Sequence, residues 1–500
     1  MNRTRALASL KLALILACAA PACAAVEAEI DGVHVEAAAV TDSIFRISVN
    51  RNADAKPLQS IYLDPARPAE IGGEVGSDNT TQVIRTRAGT LKLGATTGKY
   101  ELLDASGKTV IPSSPVLATA SEPSQVALHI GWPEGTSFAV YGSGNPSEQL
   151  VQKEVKARVG NGLAVQPFFW SPSGFAVFVV GTNPNAPASC SGEVKDGAIT
   201  LTSRGDAADI YLMLAPALED ATRNLFVLTG RPPVPPMWAF GYLQSRWGWK
   251  DAAYIDDVIH DFDTRDIPVD AFIFDFEWYT KFPDYELPPE GIDHFSDFGF
   301  RPELLPDPNA PLKALDDARL KFIGIRKPRL GDKDTLTMIR EKHWDARNRD
   351  SDGLSDQRGL DFANGDLRAW YADHTQSLLK IGVDGWWNDE GEFTYTTYSF
   401  WNLSQQQALK TLDPNQRLWT INRAFAPGLA RFGAAAWNGD TGANWDALRR
   451  AGRPDELVGR GHALRQHRPG RLRGRDESGT AHPLLPGRHV LSEHASPFDR

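Results

Sequence analysis

The sequence predicts an N-terminal β-sandwich followed by a (β/α)8 TIM-type barrel that is incomplete at its C-terminal end. Three observations carry this. Across residues 26–230, short segments alternate apolar and polar residues, broken by Gly, Asn, Asp and Pro at sandwich-like intervals. Pro232, Pro233, Pro235 and Pro236 then make a stiff, extended connector. Beyond it, six apolar strands alternate with helical periodicities, the pattern of a parallel sheet.

Five hundred residues exceed one ordinary core, so at least two domains are expected. The first 25 residues read as an export signal. Arg3 and Arg5 form the basic start, Leu7–Ala20 is apolar except for residues such as Lys11, and Ala22-Cys23-Ala24 is a small-residue cleavage pattern. Cleavage near Ala24 would place the protein in the periplasm or outside the cell. A lipid-anchored form on Cys18 or Cys23 is a second reading, although neither follows a good lipobox. The apolar run is too short to span a bilayer, and no other segment is long and apolar enough to do so. Cleavage leaves Cys190 alone, so neither an intramolecular disulfide nor a cysteine-based metal site is expected. Loss of Arg3, Arg5 and Lys11 takes the net charge from −10 to −13, which disfavours nucleic acid and anionic membranes and suits a neutral ligand such as a sugar. The oligomeric state is left open.

Within 26–230, Ile44–Val49, Gln82–Arg87, Thr90–Leu93 and Ala127–Ile130 alternate, whereas Phe138–Tyr141 and Phe175–Val180 are nearly continuous apolar strands. Pro167-Phe168-Phe169-Trp170 reads either as an aromatic loop lining a ligand cleft or as packing at a domain interface. The barrel is expected over 231–450. Its strands are Trp238–Ser245, Val269–Phe274, Lys321–Ile325, the short apolar run ending at Trp387, Arg417–Ile421 and Ala434–Trp437. Between them fall a helix capped by Asp251, with Ile255, Val258, Ile259 and Phe262 on one face, and helices near Ala310–Ala318, Leu367–Lys380 and Leu403–Thr411. Residues 451–500 hold nine Arg, no Lys and one aromatic, Phe498, with no apolar run fit for a buried strand. They read as a basic tail that does not belong to the fold. One reading is a disordered tail, and the favoured one is that the coding frame is lost near Arg450.

Three strand ends carry acids beside tryptophans: Asp275 near Trp278, Asp389 after Trp386-Trp387, and Asp440 after Trp437. In a β/α barrel the C-terminal ends of the strands carry the chemistry. Paired carboxylates with aromatic rings suit glycoside hydrolysis, in which one acid attacks the anomeric carbon and the other protonates the leaving oxygen. A strand-end acid that merely caps the next helix is the plain alternative, and three acids could also hold a divalent metal. No His-rich ligand spacing, Gly-rich phosphate loop or nucleophilic Ser motif appears, so no cofactor is expected.

From Phe138 to Arg450 the chain resembles glycoside hydrolase family 31, the retaining α-glucosidases, α-xylosidases and relatives. The resemblance rests on Leu228-Thr229-Gly230-Arg231-Pro232, Pro235-Pro236-Met237-Trp238 and Gly241–Arg246. It rests also on Pro268-Val269-Asp270 with Phe274-Asp275 and Trp278, on Gly385–Glu392, on Arg423 and on Trp437-Asn438-Gly439-Asp440. It implies Asp389 as nucleophile and Asp440 as acid/base. Asp275, Trp278, Trp387, Arg423 and Trp437 are expected on the substrate, and the N-terminal sandwich is expected to be mutarotase-like. The implied activity is hydrolysis of a terminal α-glucoside, α-xyloside or α-galactoside within an oligosaccharide or glycoside. A transglycosylase on the same site and a non-catalytic or inactive truncated product are the alternatives. Asn388, Glu390 and the charges of Arg326-Lys327-Pro328-Arg329 depart from the commonest α-glucosidase pattern. The family's further histidine and C-terminal β-domains are not recognisable.

Overall fold

The computed structural model describes residues 25–437 except 52–59, 79, 119–124, 132–138, 141–153, 157, 161–162, 166–167, 182–190, 196–197, 250, 281–289, 294, 296, 347–358, 392 and 395, together with 465–466 and 490–493. Its N-terminal part is antiparallel. Seven strands form one sheet in the order Val26–Ile30, Val33–Thr41, Ile44–Asn50, Ala207–Leu214, Phe175–Gly181, Phe168–Ser171, Ala139–Val140. A five-stranded meander over Glu74–Pro115 and a four-stranded sheet containing Gln125–Gly131 supply apolar residues to a core on one face of the large sheet.

The near-continuous apolar strands are explained by what covers their two faces. In Phe175–Gly181 every residue is buried: Phe175, Val177 and Val179 point into the core shared with the other sheets, and Ala176, Phe178 and Val180 into a second core. That second core includes Leu330, Trp344, Tyr371, Tyr398 and Trp401 from the C-terminal half. Phe168 and Phe169, 0% and 1% exposed, fall one into each core from a paired strand, so their stretch is interface packing and not a cleft wall. The all-β expectation for 26–230 is corrected by one helix, α1 (Leu218–Thr229), which buries Ala221, Leu225 and Leu228 against the second core.

The second half alternates strand and helix: β1 (Leu243–Arg246), α2 (Ala252–Thr264), β2 (Ala271–Phe274), α3 (Asn309–Asp317), β3 (Lys321–Arg326), α4 (Lys333–Glu341), α5 (Gly365–Ile381), β4 (Val383–Asn388), α6 (Thr397–Leu412), β5 (Thr420–Asn422) and β6 (Ala434–Trp437). All six strands pair in parallel in chain order. Local chemistry sets the boundaries. Asp251 accepts from Tyr254 N at 2.8 Å to start α2, Asn364 accepts from the Asp366 and Leu367 amides to start α5, and Gly382 ends α5 with a φ of +121°. The first strand, expected to open at Trp238, is preceded by a 3-10 turn over Met237–Phe240. Trp238 is thereby turned edge-on to Trp419, 5.1 Å between ring centroids.

The expectation that 451–500 supply no strand is corrected at two short segments. Arg465–Gln466 (β7) pairs in parallel with β6, and Val490–Glu493 (β8) with β1. The composition argument concerned side chains. The edges of a six-stranded sheet also present unpaired backbone N–H and C=O groups, and these recruit extended backbone whatever its side chains. The sheet order is β7-β6-β5-β4-β3-β2-β1-β8, and among the described residues no pairing joins β7 to β8.

Candidate active site

Register places the site. Ile325, Trp387 and Ile421 are direct neighbours across β3, β4 and β5, and Arg326, Asn388 and Asn422 form the next row. The second row faces the helices. Asn388 Nδ2 donates to Gln405 Oε1 of α6 at 2.9 Å and to Asn422 Oδ1 at 3.0 Å, and Gln405 Nε2 donates back to Asn388 Oδ1 at 2.8 Å. Asn402 and Thr420 complete this network, all of it fully buried. Because side chains alternate across a sheet, the next residues, Lys327, Asp389 and Arg423, come to the opposite, inner face at the C-terminal mouth.

There the candidate nucleophile lies between two cations. Asp389 is 8% exposed; Lys327 Nζ stands 3.5 Å from its Oδ2 and Arg423 Nη1 3.3 Å from its Oδ1. The backbone holds it too: Asp389 N donates to Arg326 O at 2.9 Å, and Arg423 N to Asn388 O at 3.1 Å. Glu390 takes the other side of Lys327 and also meets Arg329 Nη2 at 2.6 Å. Cations on both sides of Asp389 favour its ionised form and oppose a divalent metal there.

Asp275 follows β2 and is 9% exposed; its Oδ1 accepts from Phe276 N at 2.8 Å, starting the 3-10 turn Phe276–Trp278. Both the helix-capping and the site readings of Asp275 therefore meet in one residue. In the same turn, Glu277 Oε1 accepts from Gly248 N at 2.6 Å, while Oε2 has no partner among the described residues. Burial, and then the charge of Asp275, push the Glu277 carboxyl up to about 8. Glu277 is thus neutral at neutral pH. Tyr279 is half-buried, and the desolvation of its hydroxyl raises that group above the usual range. Its ring region feels Arg326, Arg329, Asp275 and Glu390, tying the β2 mouth to the charge cluster of β3 and β4.

Of the residues expected on substrate, Asp275, Asp389 and Arg423 are at the mouth. Trp278 and Trp387, also expected there, lie within the core. Trp278 is 0% exposed, donates from Nε1 to Ile325 O at 3.1 Å and lies over Gly324, where an added Cβ would come within 2.9 Å of its ring. Trp387 is 3% exposed and belongs to the same core. Asp440 and the side chain of Trp437 lie outside the described residues. Lys327, Glu277 and the Asn388–Gln405–Asn422 network were not singled out as site residues from sequence. A signal for Lys327 was available, since it sits two residues past Ile325 just as Asp389 sits two past Trp387.

An acid held between cations thus sits at the C-terminal end of a parallel β/α sheet, the end at which β/α barrels carry their sites. Residues 232–453 match the glycosyl hydrolases family 31 TIM-barrel domain. The match ends three residues past Arg450, where the composition changes. Neutral alpha-glucosidase AB of Sus scrofa is 27% identical over 305 residues, covering 52% of this chain and 30% of that protein. The 1,6-alpha-glucosyltransferase of Sporosarcina globispora is 26% identical over 262 residues, covering 48% of this chain and 20% of that protein. The matched part therefore spans less than a third of the length of these curated relatives. A xylosidase from Aspergillus niger has the same fold, with a TM-score of 0.72 at 14% identity over 89% of this chain and 71% of that structure. No helix among the described residues is long and apolar enough to cross a membrane.

Proposed function

We infer that the chain is an exported, retaining α-glycosidase that hydrolyses a terminal α-linked sugar. The observation that carries this reading is Asp389, ionised and oriented by Lys327 and Arg423 at the mouth of a family 31 barrel. In the first step Asp389 attacks the anomeric carbon and forms a glycosyl ester, while Asp440 gives its proton to the departing glycosidic oxygen. In the second step Asp440, now a carboxylate, takes a proton from water as the water attacks the same carbon and releases Asp389. Two inversions give net retention. Arg423 holds Asp389 for in-line attack, and Asp275 accepts hydrogen bonds from sugar hydroxyls.

A transglycosylase on the same site differs only in letting a sugar hydroxyl outcompete water in the second step. The relative named as a 1,6-alpha-glucosyltransferase supports keeping it as the second reading. The test is a panel of aryl α-glucoside, α-xyloside and α-galactoside, with the first anomer followed by NMR and with added glucose as acceptor. Release of the α-anomer supports retaining hydrolysis, and accumulation of a disaccharide supports transfer. Appearance of the β-anomer first, or full activity of Asp389→Ala, overturns the assignment.

A further inference from the structure

Glu390 has a role that the reaction above does not use. It adopts a φ of +53°, a left-handed conformation that is uncommon outside glycine and clusters at functional sites. Its carboxylate is held by two cations from the segment after β3: Lys327 Nζ donates to Oε1, and Arg329 Nη2 lies 2.6 Å from Oε2. Lys327, 6% exposed, stands also 3.5 Å from Asp389 Oδ2. Consecutive residues of an extended strand point to opposite faces. The left-handed turn at Glu390 cancels that alternation, so two carboxylates adjacent in sequence meet one ammonium group.

We propose that Glu390 is a positioning residue that acts on Asp389 through Lys327, holding the lysine at the nucleophile's edge and sharing its charge. This rests on the reading of Asp389 as nucleophile. The reaction gives the arrangement its use. Asp389 is an anion before attack and a neutral ester after it, so its cations lose a counter-ion in mid-cycle. A buried ammonium without a counter-ion is costly. Glu390 supplies a permanent one, which lets Lys327 stay in place through both steps. It also keeps Lys327 from binding Asp389 so closely that its lone pairs are unavailable to the anomeric carbon. Charged groups in contact with the two carboxylates include Lys327, Arg329 and, from the end of β5, Arg423. Asp275 and Arg326 approach the same region across Tyr279.

The experiment is a double-mutant cycle of Glu390→Gln and Lys327→Met. It is read by the acid limb of kcat/KM on an aryl α-glycoside and by 13C NMR titration of aspartate-labelled protein, with Asp389→Asn assigning the signal. Glu390→Gln should move the acid limb to lower pH, and Lys327→Met should move it up, each by about one pH unit. In the Lys327→Met background, Glu390→Gln should move it far less, because the lysine that transmits the effect is gone. An equal shift from Glu390→Gln with and without Lys327 overturns the proposal, since only a direct field between the carboxylates would remain. So does an unmoved limb, or one that moves upward. Should Lys327→Met fail to fold, Lys327→Arg keeps the charge and should leave the limb in place while Glu390→Gln still lowers it. The NMR titration needs no turnover. A wild-type chain silent on every glycoside would overturn the glycosidase reading, while the titration cycle would still decide the coupling.

Discussion

Replacing Glu277 with Gln should make the protein more stable, and increasingly so as the pH rises. Burial first, and the Asp275 charge second, raise the Glu277 carboxyl from 4.5 to about 8 in the folded chain. Unfolding returns it to the ordinary value, so between those two pH values the folded state holds one proton more than the unfolded state. The contribution of the neutral acid is therefore fully present below about 4.5 and is lost as pH rises through about 8. The loss runs at about 1.4 kcal/mol per pH unit and reaches at most about 5 kcal/mol. Gln does not titrate, can still accept from Gly248 N, and places an amide N–H where Oε2 has no partner among the described residues. Urea unfolding followed by tryptophan fluorescence, with both proteins measured in parallel from pH 5 to pH 9, reads the difference. The buried Asp297, raised to about 6, titrates in both proteins and cancels. The variant should match wild type near pH 5 and exceed it by several kcal/mol at pH 9. A difference that stays flat across the range would refute the reasoning.

Other substitutions read other parts of the site. Asp389→Ala should be inactive on every glycoside, whereas Asp440→Ala should still be glycosylated by a glycosyl fluoride and be rescued by azide; azide rescue of Asp389→Ala with retained configuration would reverse the two roles. Asn422→Leu should cost about 3 kcal/mol or more in calorimetric stability, because Asn388, Asn402 and the Ala435 carbonyl each lose a buried partner; a cost under about 1 kcal/mol would show that the network is not needed. Gly324→Ala should cost about 1–3 kcal/mol through its contact with the Trp278 ring, and a thermal midpoint equal to wild type would count against that packing.

Much of this architecture was legible from periodicity. Six strands and four of their helices followed from apolar spacing, while α4 was missed; Asp251 marked a helix start by its side chain, and the proline run marked the change from antiparallel to parallel. What escaped was whatever depends on partners distant in sequence. Phe168 and Phe169 look alike in sequence, yet they serve two different cores because adjacent strand residues face opposite ways. Trp278 and Trp387 carry the ring type that sugars prefer, but ring type does not report exposure, and Gly324 opens a space inside the fold that one of them fills. Lys327 stood in plain view as a charge after a strand. Its meaning came from register, which sets it beside Asp389 across two parallel strands. The two edge strands within 451–500 pair through backbone, to which composition is blind.

The core shared between the two halves has a consequence for inheritance. Tyr398 and Trp401 of α6 lie in one apolar cluster with Ile44, Phe178 and Val180 of the antiparallel sheet. On its polar side the Tyr398 hydroxyl accepts from Gly391 N at 2.8 Å, one residue past Glu390 and two past Asp389. The loop bearing the charged pair is thus moored to a ring that belongs to the apolar cluster shared with the first half of the chain. The span that matches the family 31 TIM-barrel domain is therefore smaller than the unit that packs around it, and changes in the two halves should be found to accompany one another.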